Sequence, residues 1–185
     1  MRHLHPFILV LALLGLMLQA SGCTVYNVAV EERSVGTYVD DEAITFTIKK
    51  EFLADDTVKY LDYDAASYEG HVYIVGEYEN RTQVDRAVAI AKGVKGVRTV
   101  TTYLLPKNDS DHCGTTDNLE IYGRIKKDLV ADGDIWSTNV QIKTVQCNVV
   151  LLGIVGSMNE REKIIDYAKK TKGVRSVKSY LKIKR

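Results

Sequence analysis

The chain repeats itself at a fixed spacing, and that limits its fold more than any other feature of the sequence. Ile48-Lys49-Lys50 returns as Ile125-Lys126-Lys127, and Gly96-Val97-Arg98 as Gly173-Val174-Arg175, both 77 residues later. The same offset pairs Ala54-Asp55 with Ala131-Asp132, Val72 with Val149, Gly76 with Gly153, Ala91-Lys92 with Ala168-Lys169, and Tyr103-Leu104 with Tyr180-Leu181. A repeat whose register never slips means two copies of one small folding unit. They occupy 40–105 and 117–185, and the polar stretch 106–116, which opens on proline, reads as a linker. The 185 residues are 45% apolar and 26% charged with only two prolines, which excludes a disordered or low-complexity chain and leaves each copy apolar side chains enough for a core.

Each copy can be read by its periodicity. Ile44, Ile48 and Phe52, matched by Ile121, Ile125 and Leu129, follow i, i+4, i+8 and predict an opening amphipathic helix with Asp40 or Asp117 as its cap. Tyr63, Ala65 and Ser67, matched by Val140, Ile142 and Thr144, alternate at a period of two. The runs that follow, 72–75 and 149–152, are nearly all apolar, and Glu69-Gly70-His71 and Gln146-Cys147-Asn148 between them read as hairpin turns. A second helix is predicted from Asn80 to Lys92 and from Asn159 to Lys170, ending near Gly93 or Gly173, then a closing strand at 97–100 or 174–177. The order αββαβ predicts an α+β protein of two tandem domains, each a small three-stranded mixed sheet with two helices on one face. Gly76 and Gly153 hold equivalent strand positions, where a side chain is expected to crowd the opening helix or force an unfavourable backbone.

Residues 1–22 read as an address rather than part of the fold. Arg2, His3 and His5 precede an apolar run from Phe7 to Met17, too short to cross about 30 Å of hydrocarbon as a helix. Ala20-Ser21-Gly22-Cys23 then resembles a bacterial lipobox, with Ala20 where leucine is preferred. That resemblance implies a lipoprotein signal peptide cleaved before Cys23, acylation of Cys23 with palmitate-type chains, and a tether over 23–39; the alternative is an ordinary secretory signal followed by a lone cysteine. Thr24, standing where an aspartate would resemble an inner-membrane retention signal, implies an outer-membrane anchor with the domains facing the periplasm.

The αββαβ unit has a glycine in its second strand, an alanine late in its second helix, and Gly-Val-Arg-x-Val followed by Tyr-Leu. In these features it resembles the BON domain. Two such units behind a lipobox resemble the dual-BON outer-membrane lipoproteins, and Arg33-Ser34-Val35-Gly36-Thr37 with Asp40-Asp41 is similar to the lead into that subfamily's first domain. The resemblance spans nearly all of the chain after Cys23. It implies a protein without catalytic activity that binds phospholipid and helps to maintain outer-membrane integrity, with the first helix of the second domain as the lipid contact.

In an oxidising periplasm Cys113 and Cys147 are expected to form a bridge closing 33 intervening residues, with two free thiols as the alternative. Only His71 and His112 remain after cleavage and no zinc spacing is present, so no metal or cofactor is expected. Ser67, Ser110 and Ser157 lack a nucleophile-elbow context, neither cysteine has a spaced catalytic histidine, and Asp40-Asp41 and Asp55-Asp56 fall at helix ends, so the chain is not expected to be an enzyme. Gly93-Val94-Lys95-Gly96 resembles the GXXG loop of KH domains, but the other copy, Lys170-Thr171-Lys172-Gly173, lacks the first glycine. The shared requirement is a helix-to-strand turn, and no nucleic-acid partner is expected.

The net charge of +1 hides a segregation of sign. Residues 116–185 carry 14 basic and 8 acidic side chains, and the rest of the chain carries 11 and 16. An anionic surface therefore attracts the second copy, by about 1 kcal/mol per well-placed Lys or Arg. Between the copies Glu42 becomes Leu119, Thr45 becomes Tyr122 and Lys59 becomes Trp136, while the core stripe is kept. Leu119, Tyr122 and Lys126 at i, i+3, i+7, with Arg124, Lys127 and Trp136, are thus expected to contact anionic phospholipid. Packing of Tyr122 and Trp136 on the first domain or the linker, or docking of partners in envelope assembly or cell-wall remodelling, is the alternative.

Overall fold

A computed structural model describes residues 31–58, 60–108 and 110–184. The signal peptide, the lipobox and Cys23 lie outside the described residues. The first copy runs α1 (Val35–Ala54), β1 (Tyr63–Tyr68), β2 (His71–Tyr78), α2 (Arg81–Gly93) and β3 (Thr99–Pro106). The second runs α3 (Thr115–Ala131), β4 (Val140–Val145), β5 (Asn148–Val155), α4 (Met158–Lys170), β6 (Ser176–Ser179) and β7 (Lys182–Ile183). A short 3₁₀ turn, Tyr60–Asp62 or Ser137–Asn139, precedes the first strand of each copy.

Both sheets share one topology. β2 lies between antiparallel β1 and parallel β3, and β5 between antiparallel β4 and parallel β6, with β7 continuing the β6 register along β5. The hairpins turn on two residues at positive φ, Glu69-Gly70 and Gln146-Cys147, the combination that matches the right-handed twist of the flanking strands. Ile44, Ile48 and Phe52 of α1 and Ala87 and Ala91 of α2 cover one face of the first sheet; Ile121, Ile125, Leu129, Ile164 and Ala168 do so in the second.

Several element ends differ from the sequence reading. Helix α1 begins at Val35, where the Ser34 hydroxyl accepts the Thr37 amide, so Asp40 is an exposed interior position and caps nothing. Asp117 acts from the third position of α3, its carboxylate accepting the Gly114 amide at 2.9 Å. Ser157 rather than Asn159 starts α4, because its hydroxyl takes the Glu160 amide. The closing strand of the first copy spans Thr99–Pro106, and its Pro106 pairs with Tyr78 at the sheet edge, where the missing N–H leaves no ladder bond broken.

At Gly76 and Gly153 the conflict is with backbone and not with the opening helix. A Cβ would fall 1.9 Å from the Asp62 carbonyl oxygen or 2.1 Å from that of Asn139, at φ of +156° and +143°. The 3₁₀ turn lies directly against the strand at each site, so only glycine fits.

The sheet faces turned away from the helices are also buried. Ala66, Tyr68, Tyr73 and Val75 pack against Val145, Val150, Leu152 and Ile154 in one cluster. Tyr73 and Tyr180 meet at 5.1 Å between ring centres. Asp64 takes Lys49 at 2.6 Å and Lys143 of the second domain at 2.5 Å, and the Gln146 amide donates to Glu77 and to the Pro106 carbonyl. The result is a four-layer body, helices–sheet–sheet–helices, with the two pairs of helices on opposite outer faces.

Candidate membrane-facing site

Helix α3 buries Ile121, Ile125 and Leu129 and turns the opposite side to solvent. At 100° per residue, Leu119, Gly123 and Val130 share that outer line, and Leu119 and Val130 are 67% and 64% exposed. Tyr122 flanks it on the side of the 3₁₀ turn that leads into β4. Trp136, half exposed, sits where that turn begins, and its backbone amide donates to Glu160 at the start of α4. Glu160 also accepts the Gly156 amide, so one buried carboxylate fixes both the Trp136 backbone and the strand-to-helix turn. Met158, in the first turn of α4, is exposed as well.

Five of the six residues expected at this face are solvent-accessible, and the sixth is occupied elsewhere. The Lys126 amine folds back to donate to the Ser137 carbonyl at 2.6 Å, and burial pushes its pKa down. The heptad spacing places Lys126 on the right line, but its long stem lets the ammonium leave that line to hold the 3₁₀ turn. Arg124 lies on the other flank, ion-paired with Glu120. Lys127, Arg124, Lys170 and Lys172 line a cleft of about 240 Å³ between α3 and the end of α4. Val130, Met158, Lys170 and Lys172 were not singled out from the sequence. Val130 carried a signal, standing three helical turns after Leu119, whereas the two lysines meet α3 only through the tertiary fold.

Cys113 and Cys147 are joined, with Cα atoms 5.8 Å apart, and the bridge ties the start of α3 to the β4–β5 turn. Among the described residues no group of three or more His, Cys, Asp and Glu could hold a metal ion, and no helix is long and apolar enough to cross a membrane.

Two αββαβ units of this topology, stacked sheet to sheet, define the class. The chain belongs to the BON domain family, whose model matches residues 40–105 and 117–185. It is 32% identical to the osmotically-inducible protein Y of Escherichia coli over 152 residues, covering 81% of this chain and 76% of that one. It is 29% identical to the outer membrane lipoprotein DolP of Haemophilus influenzae over 157 residues, 84% of this chain and 81% of that one, which makes it a DolP-like protein of two BON domains.

Proposed function

We propose that this protein is anchored in the outer membrane through an acylated Cys23, faces the periplasm, and docks on anionic phospholipid through the outer face of α3 in support of membrane integrity, without catalysis. One observation carries the reading. The basic domain is also the one whose first helix exposes Leu119, Tyr122 and Val130 beside Trp136, an apolar ridge of the kind that sinks into the headgroup boundary with cations along its flank. The DolP-like sequence supports the location. From Cys23 to Glu31 the chain can span at most about 29 Å, at roughly 3.6 Å per residue, so an anchored body stays within reach of the bilayer. Tethering raises the effective concentration of the surface, and a face of modest intrinsic affinity then suffices.

Two tests bear on this. Cys23→Ser should remove fatty-acid labelling and release the protein from the membrane fraction; labelling that persists in the variant overturns the anchor. Residues 24–185 carrying Leu119→Glu with Trp136→Ala should bind phosphatidylglycerol-containing vesicles at least tenfold more weakly, with an unchanged fold, and salt should weaken the unsubstituted protein. Intact vesicle binding by the folded double variant moves the contact elsewhere.

A second reading, docking of envelope proteins, draws on the first domain. Val35, Val39, Phe46 and Leu53 form an exposed apolar stripe along α1, opposite its core side.

A further inference from the structure

The second domain supplies a carboxylate to its own arginine, and the first does not. Arg175, which follows the helix-to-strand turn, holds Asp111 bidentately at 2.6 and 2.7 Å, and that aspartate also accepts the Cys113 amide at 2.8 Å. At the 77-residue offset Arg98 is the same position. Its backbone is held in the same way, the Arg98 amide donating to the Gly70 carbonyl at 2.8 Å as the Arg175 amide does to that of Cys147 at 2.9 Å. Arg98 is nevertheless exposed, and its guanidinium has no partner among the described residues.

The cause is where the first helix begins. α1 starts at Val35, whereas the start of α3, Thr115, falls at Tyr38 on the repeat offset, so the extra turn of α1 takes up residues that in the second copy form the linker beside the arginine. Ser34 stands in the place of Asp111, and its hydroxyl accepts the Thr37 amide. Arg33 and Glu32 before it are held by Asp41 at 2.8 Å and by Lys184 at 2.7 Å.

Arg98 lines a cleft of about 1780 Å³ that runs from between α1 and α2 to β7. The cleft between α3 and α4 holds about 240 Å³, and there the ion pairs Glu120–Arg124 and Asp166–Lys170 occupy the positions of Ala43, Thr47, Ala89 and Gly93. The larger cleft exceeds the roughly 300–1,000 Å³ of sites for drug-sized molecules and suits a stretch of polypeptide. Of the acids that line it, Asp41, Glu32 and Glu69 are engaged by Arg33, Lys184 and Lys182, and Asp40 and Glu51 belong to α1 rather than to the turn that carries Lys95 and Arg98. Lys95, exposed on that turn, adds a second cation without an ion-pair partner among the described residues.

We infer that the first domain takes from another protein the group that the second draws from its own linker: an aspartate side chain of an acidic peptide, gripped by Arg98 with Lys95 beside it, the peptide chain lying in the α1–α2 cleft. The planar guanidinium fork matches a carboxylate bidentately, as Arg175 does with Asp111. Residues 24–30 contain no Asp or Glu, so the tether does not supply the group. The inference is independent of the membrane reading, since neither α3 nor its ridge takes part.

The test uses residues 24–185, which contain the whole two-domain body, and a peptide copied from the linker, acetyl-Ser-Asp-His-Ser-Gly-Thr-Thr-amide, followed by amide NMR shifts. The unsubstituted protein should show shifts at residues 70–71 and 95–99. Arg98→Gln should weaken binding at least tenfold and Arg98→Lys severalfold, because an ammonium keeps the charge but not the fork. A peptide with asparagine for its aspartate should leave the shifts absent. Lys92→Gln, an equal loss of charge at an exposed position of α2 outside the cleft, should change binding by less than twofold. Equal losses from Arg98→Gln and Lys92→Gln overturn the site and leave only overall charge. Shifts at residues 111, 146 and 175 instead mean that the peptide displaces the linker in the second domain, and they overturn the assignment to the first. An asparagine peptide that binds once its C-terminus is left as a free carboxylate overturns the internal aspartate and gives Arg98 to a chain end. Absence of any shift at millimolar peptide refutes the site, and vesicle binding by the same protein would leave the membrane reading standing.

Discussion

The two domains secure the same hairpin by different chemistry. In the first, Asp41 of α1, 1% exposed, accepts the amides of Glu69 and Gly70 at 2.7 and 2.9 Å, the Ser67 hydroxyl at 2.7 Å and Arg33 at 2.8 Å. Arg33 is itself buried between the rings of Tyr38 and Tyr68, with Glu31 on its far side. In the second, Asn118 stands where Asp41 stands and accepts only the Cys147 amide, while the bridge from Cys113 to Cys147 holds the turn. Gly70 and Cys147 are equivalent positions. One copy therefore holds its turn by a buried ionic network that also pins the incoming chain, and the other by a covalent link that needs an oxidant.

That contrast is tested most sharply by removing the acceptor in each copy. Asp41→Ala leaves Arg33 with Glu31 alone and strips the Glu69 and Gly70 amides and the Ser67 hydroxyl of their acceptor, and should destabilise the first domain by about 3 kcal/mol, whereas Asn118→Ala should cost the second about 1 kcal/mol. Hydrogen exchange at residues 67–72 and 145–149 reads the two separately; equal effects would mean the networks are interchangeable. Acid makes the same distinction without mutation. Burial raises the Asp41 pKa, but the bonds from Gly70, Ser67, Arg33 and Glu69 outweigh it and the net shift is downward. Such a group stabilises the fold above its unfolded pKa of about 4, and the stability is lost as pH falls through the lower folded value. The first hairpin should therefore open before the second below about pH 4, since the disulfide still holds the second turn when Asp111 is protonated.

Removing the bridge reverses the asymmetry. Cys113→Ser with Cys147→Ser frees a loop of 33 intervening residues and should lower the stability of the second domain by about 3–4 kcal/mol on chain-entropy grounds, with the first domain little changed. Trp136 is the only tryptophan of the chain and reports the second domain in a denaturant titration. An unshifted tryptophan transition would show that Asp111 suffices. Its carboxylate holds Arg175 bidentately at 2.6 and 2.7 Å and takes the Cys113 amide, and the Arg175 bonds hold its pKa down at about 2.

The fold was legible wherever one period spoke for one face. The unslipped repeat, the Ile-Ile-Phe and Ile-Ile-Leu stripes and the apolar central strands lead directly to αββαβ. Less legible was what a second face does. Ala66, Tyr68, Tyr73 and Val75 read as ordinary strand residues, yet they form the sheet-to-sheet junction, because a strand buried on both sides loses the alternation that reveals its orientation. Of the adjacent acids Asp40 and Asp41, the sequence favours the first as a cap. The structure uses the second, because only its position on α1 reaches the hairpin amides. At the site, Leu119, Tyr122 and Trp136 stood out because the other copy supplied a reference. Lys126 was misplaced because spacing locates a Cβ and not the end of a long side chain.

The smallest expected effect concerns the outer face of α1. Phe46 is 71% exposed and Leu53 69%, more than Leu119 on α3, so exposure alone would rank the first domain as the better membrane contact. Two facts argue otherwise. The stripe belongs to the acidic part of the chain, which an anionic surface repels, and sheet-to-sheet packing points α1 and α3 to opposite sides, so a body resting on α3 holds α1 away from the bilayer. Phe46→Ser should therefore alter affinity for phosphatidylglycerol vesicles by less than twofold, while Val130→Ser, the same kind of truncation on α3, weakens it severalfold. If Phe46→Ser is the more damaging, the orientation is inverted, and the charge segregation serves some purpose other than drawing the second domain to lipid.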